Sequence, residues 1–385
     1  MAVETRTMDG SLRNDSLFTH NYTYMEHRKI RVAITHGDTN GIGYELIFKA
    51  FAEPQMFDLC IPIIYGSPKI AAYHRKALDI QANFSIINNA EEACEGRINM
   101  LACFDEEVKV DMGTGTEDSR RAAEKATERA LEDFGKGLFD VLVAGPEGQE
   151  DGCYAQLRER LAAHFGHEHT PFCVLTNDSM RLTTTTSGLP IKNVADGITA
   201  EGLEKLTRDF FTSLKRDFRI YNPRIAVLAL NPGTDGHEES EVIAPVTGKL
   251  YDEGVYAFGP YQANTFFGDG MYESFDGVVA MYDDQGLIPF KTLATECGTC
   301  YVAGLPLVCT TTAHGARHDI AGTWQADVSP FRHAIYEAAD ILCNRATYDE
   351  PLANPLKKLY HEKRDDSDKV RFAVSKNEET EKGDK

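Results

Sequence analysis

Short apolar runs alternate along this chain with stretches patterned for helices, and turn-forming clusters separate them. Arg31–Thr35 (RVAIT), Leu59–Tyr65 (LCIPIIY), Phe84–Ile87, Phe139–Ala144 (FDVLVA), Phe172–Thr176, Met180–Thr186, Arg224–Leu230 (RIAVLAL) and Val278–Met281 read as strands. Pro68–Leu78, Ser119–Phe134, Gln156–Phe165 and Thr199–Phe218 read as helices, and Ser329–Cys343 as the last core helix. Leu203, Leu206, Phe210, Phe211 and Leu214 mark one face of the fourth of these. This alternation predicts an α/β fold with a parallel or mixed sheet. Ligands of such sheets gather beyond the carboxyl ends of strands. Tyr282-Asp283-Asp284-Gln285-Gly286, directly after Val278–Met281, is a polar turn in that position.

With 385 residues the chain can bury a large core and fold as two lobes. Sixty acidic against forty basic residues give a net charge of -20, which argues against non-specific nucleic-acid binding. No run is apolar and long enough to span a bilayer, and Met1–Arg28 has no apolar signal-peptide core, so a cytoplasmic location is expected. Nine scattered cysteines fit reduced thiols better than a disulfide framework. Residues 1–28 are polar and without periodicity, a flexible N-terminal segment; residues 361–385 form a charged tail expected to be disordered.

The first strand runs into His36-Gly37-Asp38-Thr39-Asn40-Gly41-Ile42-Gly43-Tyr44-Glu45. Its glycines allow a tight turn, and the helix expected from about Tyr44 offers free N–H groups to an anion. Gly37, Asp38, Gly41 and Gly43 are therefore a candidate anion-binding turn.

Gly37–Glu45 also resembles the opening motif of the 4-hydroxythreonine-4-phosphate dehydrogenase family, GDxxGIGxE after a strand. MYDDQG with Lys291 behind it resembles that family's MYHDQG and its following Lys. Gly304-Leu305-Pro306, His314-Gly315 and Asp319–Gly322 are similar to its later motifs, and the resemblance runs over about residues 29–360. It implies a two-lobed α/β architecture like that of isocitrate and isopropylmalate dehydrogenases, an active site in the interlobe cleft, and a homodimer. It also implies NAD-dependent oxidation of a 3-hydroxy acid phosphate, then decarboxylation, on the route to pyridoxal phosphate. A divalent metal held by three histidines would act there as Lewis acid.

At the positions this resemblance marks, the chain departs from the family. Gly188 and Gly233 stand where two metal-binding histidines belong, and Asp283 stands at the third. A carboxylate can bind a divalent cation, but catalytic sites use about three protein ligands. His237 follows in the shortened loop after Gly233. Of the substrate contacts, Lys291 is kept. Cys153 and Tyr154 replace a His-Thr pair, Cys300 an Asn, and Cys309 a phosphate-binding Arg. No residue receives a catalytic role from the sequence.

Two functions stay open: a divergent, NAD-using dehydrogenase with an altered substrate, or a non-catalytic homologue that acts by binding a ligand or partner. If the family fold is kept, Cys153, Cys300 and Cys309 converge on one cleft near Asp283, and Cys297-Gly298-Thr299-Cys300 is a C-x-x-C. Thiols so placed suit zinc or redox chemistry. They equally suit small residues filling a cleft that no longer takes a phosphate.

Overall fold

The computed structural model describes residues 28–104, 108–148, 153–293 and 298–353. The two terminal segments read from the sequence lie outside these residues, apart from Arg28. A single 12-stranded sheet carries the fold, in the order β3-β4-β2-β1-β5-β12-β11-β6-β7-β10-β8-β9. The strands are β1 Ile30–Thr35, β2 Cys60–Gly66, β3 Phe84–Ile87, β4 Ile98–Ala102, β5 Val141–Ala144, β6 Phe172–Thr176, β7 Arg181–Thr184, β8 Ile225–Leu228, β9 Ala257–Tyr261, β10 Gly277–Ala280, β11 Thr299–Ala303 and β12 Val308–Thr312. The pairs from β3 through to β12 are parallel, and so are β7-β10-β8-β9. Between these halves β11 runs antiparallel to both β12 and β6, and β6 antiparallel to β7. The α/β expectation holds, with the sheet mixed only at its centre.

Helices cover both faces: α1 Gly43–Ala50, α2 Pro68–Ala77, α3 Glu117–Phe134, α4 Cys153–Phe165, α5 Ala200–Arg216, α6 Asp283–Leu293 and α7 Ser329–Ala353. Local chemistry sets their ends. The Thr116 hydroxyl accepts the Ser119 N–H at 3.1 Å and the Ser119 hydroxyl accepts the Thr116 N–H at 3.2 Å, a reciprocal cap for α3. Ala122, Ala126 and Ala130 then give α3 a thin face that lies close to the sheet. α5 starts at the Thr199 cap and buries Leu203, Phe210 and Leu214. Gly277 lets it rest on β10, since a Cβ there would stand 2.6 Å from the Phe210 ring.

Two sequence expectations change. β4, β9, β11 and β12 were not read as strands. The Asp283-Asp284 turn is instead the first turn of α6, where two carboxylates complement the positive helix end.

A buried ion pair locks the far side of the sheet. Arg345 of α7 donates from Nε to Asp217 Oδ1 at 2.8 Å, and from Nη1 to the carbonyls of Leu305 (2.9 Å) and Pro306 (3.0 Å). Asp217, just past α5, also accepts from the Tyr301 hydroxyl at 2.9 Å and from Ser213 Oγ at 2.7 Å. Only 4% of either charged side chain is exposed. No helix among the described residues is long and apolar enough to cross a membrane.

Candidate functional site

Because β7, β10 and β8 are parallel neighbours, their carboxyl ends meet at one edge of the sheet. The segments that leave them carry Gly188, Asp283 at the start of α6, and Gly233. The fold thus gathers the three positions marked from the sequence, and the geometry there is specific. The Asp283 carboxylate accepts the Gly188 N–H at 2.7 Å through Oδ2 and the Thr184 hydroxyl at 3.0 Å through Oδ1. The third position is tied directly to the backbone of the first. Gly188 has φ +78°, a left-handed conformation that glycine adopts freely.

On the third loop, Asn231 is held by Glu238 and Glu239: its N–H donates to Glu239 Oε1 at 2.8 Å, and its amide nitrogen to Glu238 Oε2 (3.0 Å) and Glu239 Oε2 (2.9 Å). His237 is exposed on this loop. Gln285 completes the edge, accepting the Met281 N–H at 2.8 Å and donating to the Ala229 carbonyl at 2.6 Å.

Among the described residues, no group of three or more His, Cys, Asp or Glu side chains is placed to hold a metal ion. Glycine offers no donor, and the carboxylate at the third position also accepts two hydrogen bonds within the chain. The residues present therefore do not fit a three-ligand divalent site. Lys291 is exposed on the last turn of α6. It stands about 12 Å along the helix from Asp283, at about 1.5 Å per residue. Beside the Asn231 loop opens a largely apolar cavity of ≈ 720 Å³, with Leu230, Phe267, Tyr282, Ile288 and Pro289 in its wall.

The thiols sit on the central strands. Cys300 and Cys309 are both fully buried. In the β11 register Cys300 pairs with Thr311 and Val302 with Cys309, so both sulfurs lie on the same face. Burial pushes the Cys309 thiol well above its ordinary pKa. Among the described residues a third cysteine on that face is Cys173 of β6, opposite Val302, a position that no motif marks. The side chain of Cys153 and the whole of Cys297 lie outside the described residues. Tyr154, on the first turn of α4, packs against the cluster that contains Cys300.

Behind β5, Arg160 of α4 pairs with Glu147, with Nη1 to Oε1 at 3.2 Å. Burial raises the Glu147 pKa, and Arg160 opposes it.

The turn after β1 is a closed joint. The N–H groups of Asp38, Gly41 and Ile42 donate to the carbonyls of Pro146, Asp38 and Ala316 at 3.0–3.1 Å. That of Asn40 donates to Asp38 Oδ1 at 2.8 Å, and Asp38 Oδ2 meets His318 Nε2 at 3.1 Å. Added Cβ atoms at Gly37 and Gly43 would stand 2.3 Å from the Pro146 oxygen and 1.8 Å from the His36 oxygen. These glycines serve close backbone contact, and the N–H groups of Asp38, Asn40, Gly41 and Ile42 already have acceptors inside the chain.

Comparison with known proteins places this geometry. The family profile described as pyridoxal phosphate biosynthetic protein PdxA matches residues 58–338. The chain is 46% identical over 358 residues to a 4-hydroxythreonine-4-phosphate dehydrogenase of Bacteroides thetaiotaomicron, covering 90% of this chain and 98% of that protein. It is 33% identical to one from Prosthecochloris aestuarii, covering 81% and 97%. The crystal structure of 4-hydroxythreonine-4-phosphate dehydrogenase from Klebsiella pneumoniae superposes with a TM-score of 0.67 at 26% identity, over 82% of this chain and 98% of that one.

Proposed function

Since this chain belongs to the PdxA family of 4-hydroxythreonine-4-phosphate dehydrogenases, we propose that it is a non-catalytic member that keeps the family fold and acts by binding. The supporting observation is the closure of Asp283 onto Gly188. Oxidation of a hydroxyl develops charge on its oxygen, and in this family's reaction a metal would carry that charge. Two glycines and a committed carboxylate put nothing in its place. The reading includes no hydride transfer to NAD either: the N–H groups of Asp38, Asn40, Gly41 and Ile42 in the turn after β1 donate within the chain rather than to a ligand.

Cys300 and Cys309 bear on the ligand. A buried thiol cannot make the paired charged hydrogen bonds that a guanidinium gives a phosphate. The ligand is therefore not a phosphomonoester, and the apolar cavity beside Asn231 suits an uncharged, partly apolar small molecule. The homodimer belongs to the same reading, and light scattering after gel filtration would test it.

The functional test is an NADH-formation assay with 4-phosphohydroxythreonine, NAD and Mg²⁺, with the Bacteroides thetaiotaomicron relative as positive control. The expected result is no turnover above the protein-free blank while the control turns over. NADH formation within a few-fold of the control would overturn the proposal.

A further inference from the structure

The buried face of β6-β11-β12 carries a feature that neither the family nor the binding reading accounts for. Cys173 pairs in register with Val302, and Cys300 with Leu175, so the two cysteines are diagonal neighbours on adjacent antiparallel strands. Both side chains project from the same face, two residues apart in register. Cys300 hydrogen-bonds the Cys173 sulfur. Cys300 is fully buried, while Cys173 is partly exposed. Arg158 of α4 acts electrostatically on Cys173, with Asp283 opposing it.

From this arrangement we propose that Cys173 and Cys300 form a peroxide-reactive dithiol: Cys173 is the attacking sulfur and Cys300 the resolving one. The Cys173 thiolate attacks a hydroperoxide oxygen, the O–O bond breaks, and Cys173 becomes a sulfenic acid as water or an alcohol leaves. The Cys300 thiol then displaces the sulfenic oxygen as a second water, and the Cys173–Cys300 disulfide forms. Two thiols lose two electrons and the peroxide gains them. A low-molecular-weight thiol restores the pair by exchange.

Three features favour this order of events. Cys173 keeps some exposed surface and Cys300 keeps none, so Cys173 is the nearer of the two to a solvent-borne peroxide. The hydrogen bond from Cys300 stabilises the Cys173 thiolate, and Arg158 assists, against burial and Asp283, so its pKa lies below the ordinary thiol value. Diagonal neighbours on antiparallel strands stand about 7–8 Å apart, past the usual Cα span of a disulfide, so the strands must shift to form the bond and it is a strained, reducible one rather than a permanent staple. The proposal does not depend on the non-catalytic reading: it would hold whether or not the cleft turned over a substrate.

The test is peptide mapping of the whole protein after brief treatment with stoichiometric hydrogen peroxide. Free thiols are alkylated before digestion, and Cys94 and Cys343, both exposed, serve as internal references. The expected product is one cross-linked peptide pair joining Cys173 to Cys300, formed at least several-fold faster than either reference thiol oxidises and lost on adding dithiothreitol. In Cys300→Ser, Cys173 should accumulate as sulfenic acid and take up a cyclic-diketone probe. In Cys173→Ser no cross-link should form. Oxidation of Cys94 or Cys343 ahead of Cys173 in the unmodified protein would overturn the proposal, as would a link from Cys173 to Cys309. Both outcomes are read without any variant, so a poorly folding variant does not blunt the test.

Discussion

Replacing Arg345 with leucine is expected to cost about 3–5 kcal/mol of folding stability, the usual effect of removing one partner from a buried ion pair. Asp217 would keep its charge in an apolar setting with only the Tyr301 and Ser213 hydroxyls to answer it. The Leu305 and Pro306 carbonyls would lose their donor at the same time. Urea unfolding measures this as a fall in midpoint at unchanged slope. The double variant Arg345→Leu with Asp217→Asn should recover part of the loss, because it removes the stranded charge. A single variant within about 1 kcal/mol of the unmodified protein would mean the pair contributes no more than an exposed ion pair does.

Acid should destabilise the protein through His36. This ring is fully buried, stacked on Tyr44 at 5.3 Å between centroids, with Phe104 edge-on at 6.1 Å. Burial lowers its pKa from 6.5 to about 4; the adjacent Gly37 backbone partly opposes this, and the neighbouring His74 adds to it. The folded pKa is below the unfolded one, so the unfolded chain takes up the proton first as pH falls. The stability contributed by the neutral ring is complete above pH 6.5 and is lost progressively down to about pH 4. At 1.36 kcal/mol per unit, the loss is on the order of 3 kcal/mol across that window, and about 2 kcal/mol by pH 5. His36→Phe keeps an aromatic ring and removes the proton. Comparing unfolding free energies at pH 8 and pH 5, the variant should lose less stability than the unmodified protein by that amount. Equal losses in both proteins would exclude His36 as the acid-sensitive group.

The parts of this fold that were legible in the sequence rest on local pattern. The run FDVLVA announces β5 because nothing else buries such a stretch between two polar turns. The face Leu203, Phe210 and Leu214 announces α5 by its spacing. Gly188, Asp283 and Gly233 are brought together in advance by the family resemblance, which marks them as three ligand positions, and not by local pattern. The parts that were not legible depend on register and long-range partners. Cys153 was the expected third thiol because its position matched a motif, yet Cys173 shares the face of Cys300 and Cys309 through strand pairing. Asp283 was read as a turn because a carboxylate pair after a strand usually caps one; the receiving donors, Gly188 N–H and the Thr184 hydroxyl, lie 95 and 99 residues away. The Gly37–Gly43 turn looked open to an anion because its acceptors at Pro146 and Ala316 come from distant segments. Arg345 and Asp217 are 128 residues apart, and neither stands out as a polar residue within its own segment.

Calorimetric titration of the unmodified protein with Mn²⁺ and Mg²⁺ asks most directly whether the family's metal chemistry has gone. These hard cations prefer oxygen ligands, so the cysteines will not confuse the result. With Gly188 and Gly233 offering no donor and Asp283 held by Gly188 and Thr184, no saturable one-to-one heat should appear, and neither ion should raise the unfolding temperature. One-to-one binding that disappears in Asp283→Asn, accompanied by a matching stabilisation, would contradict this and return the chain to the catalytic members of its family.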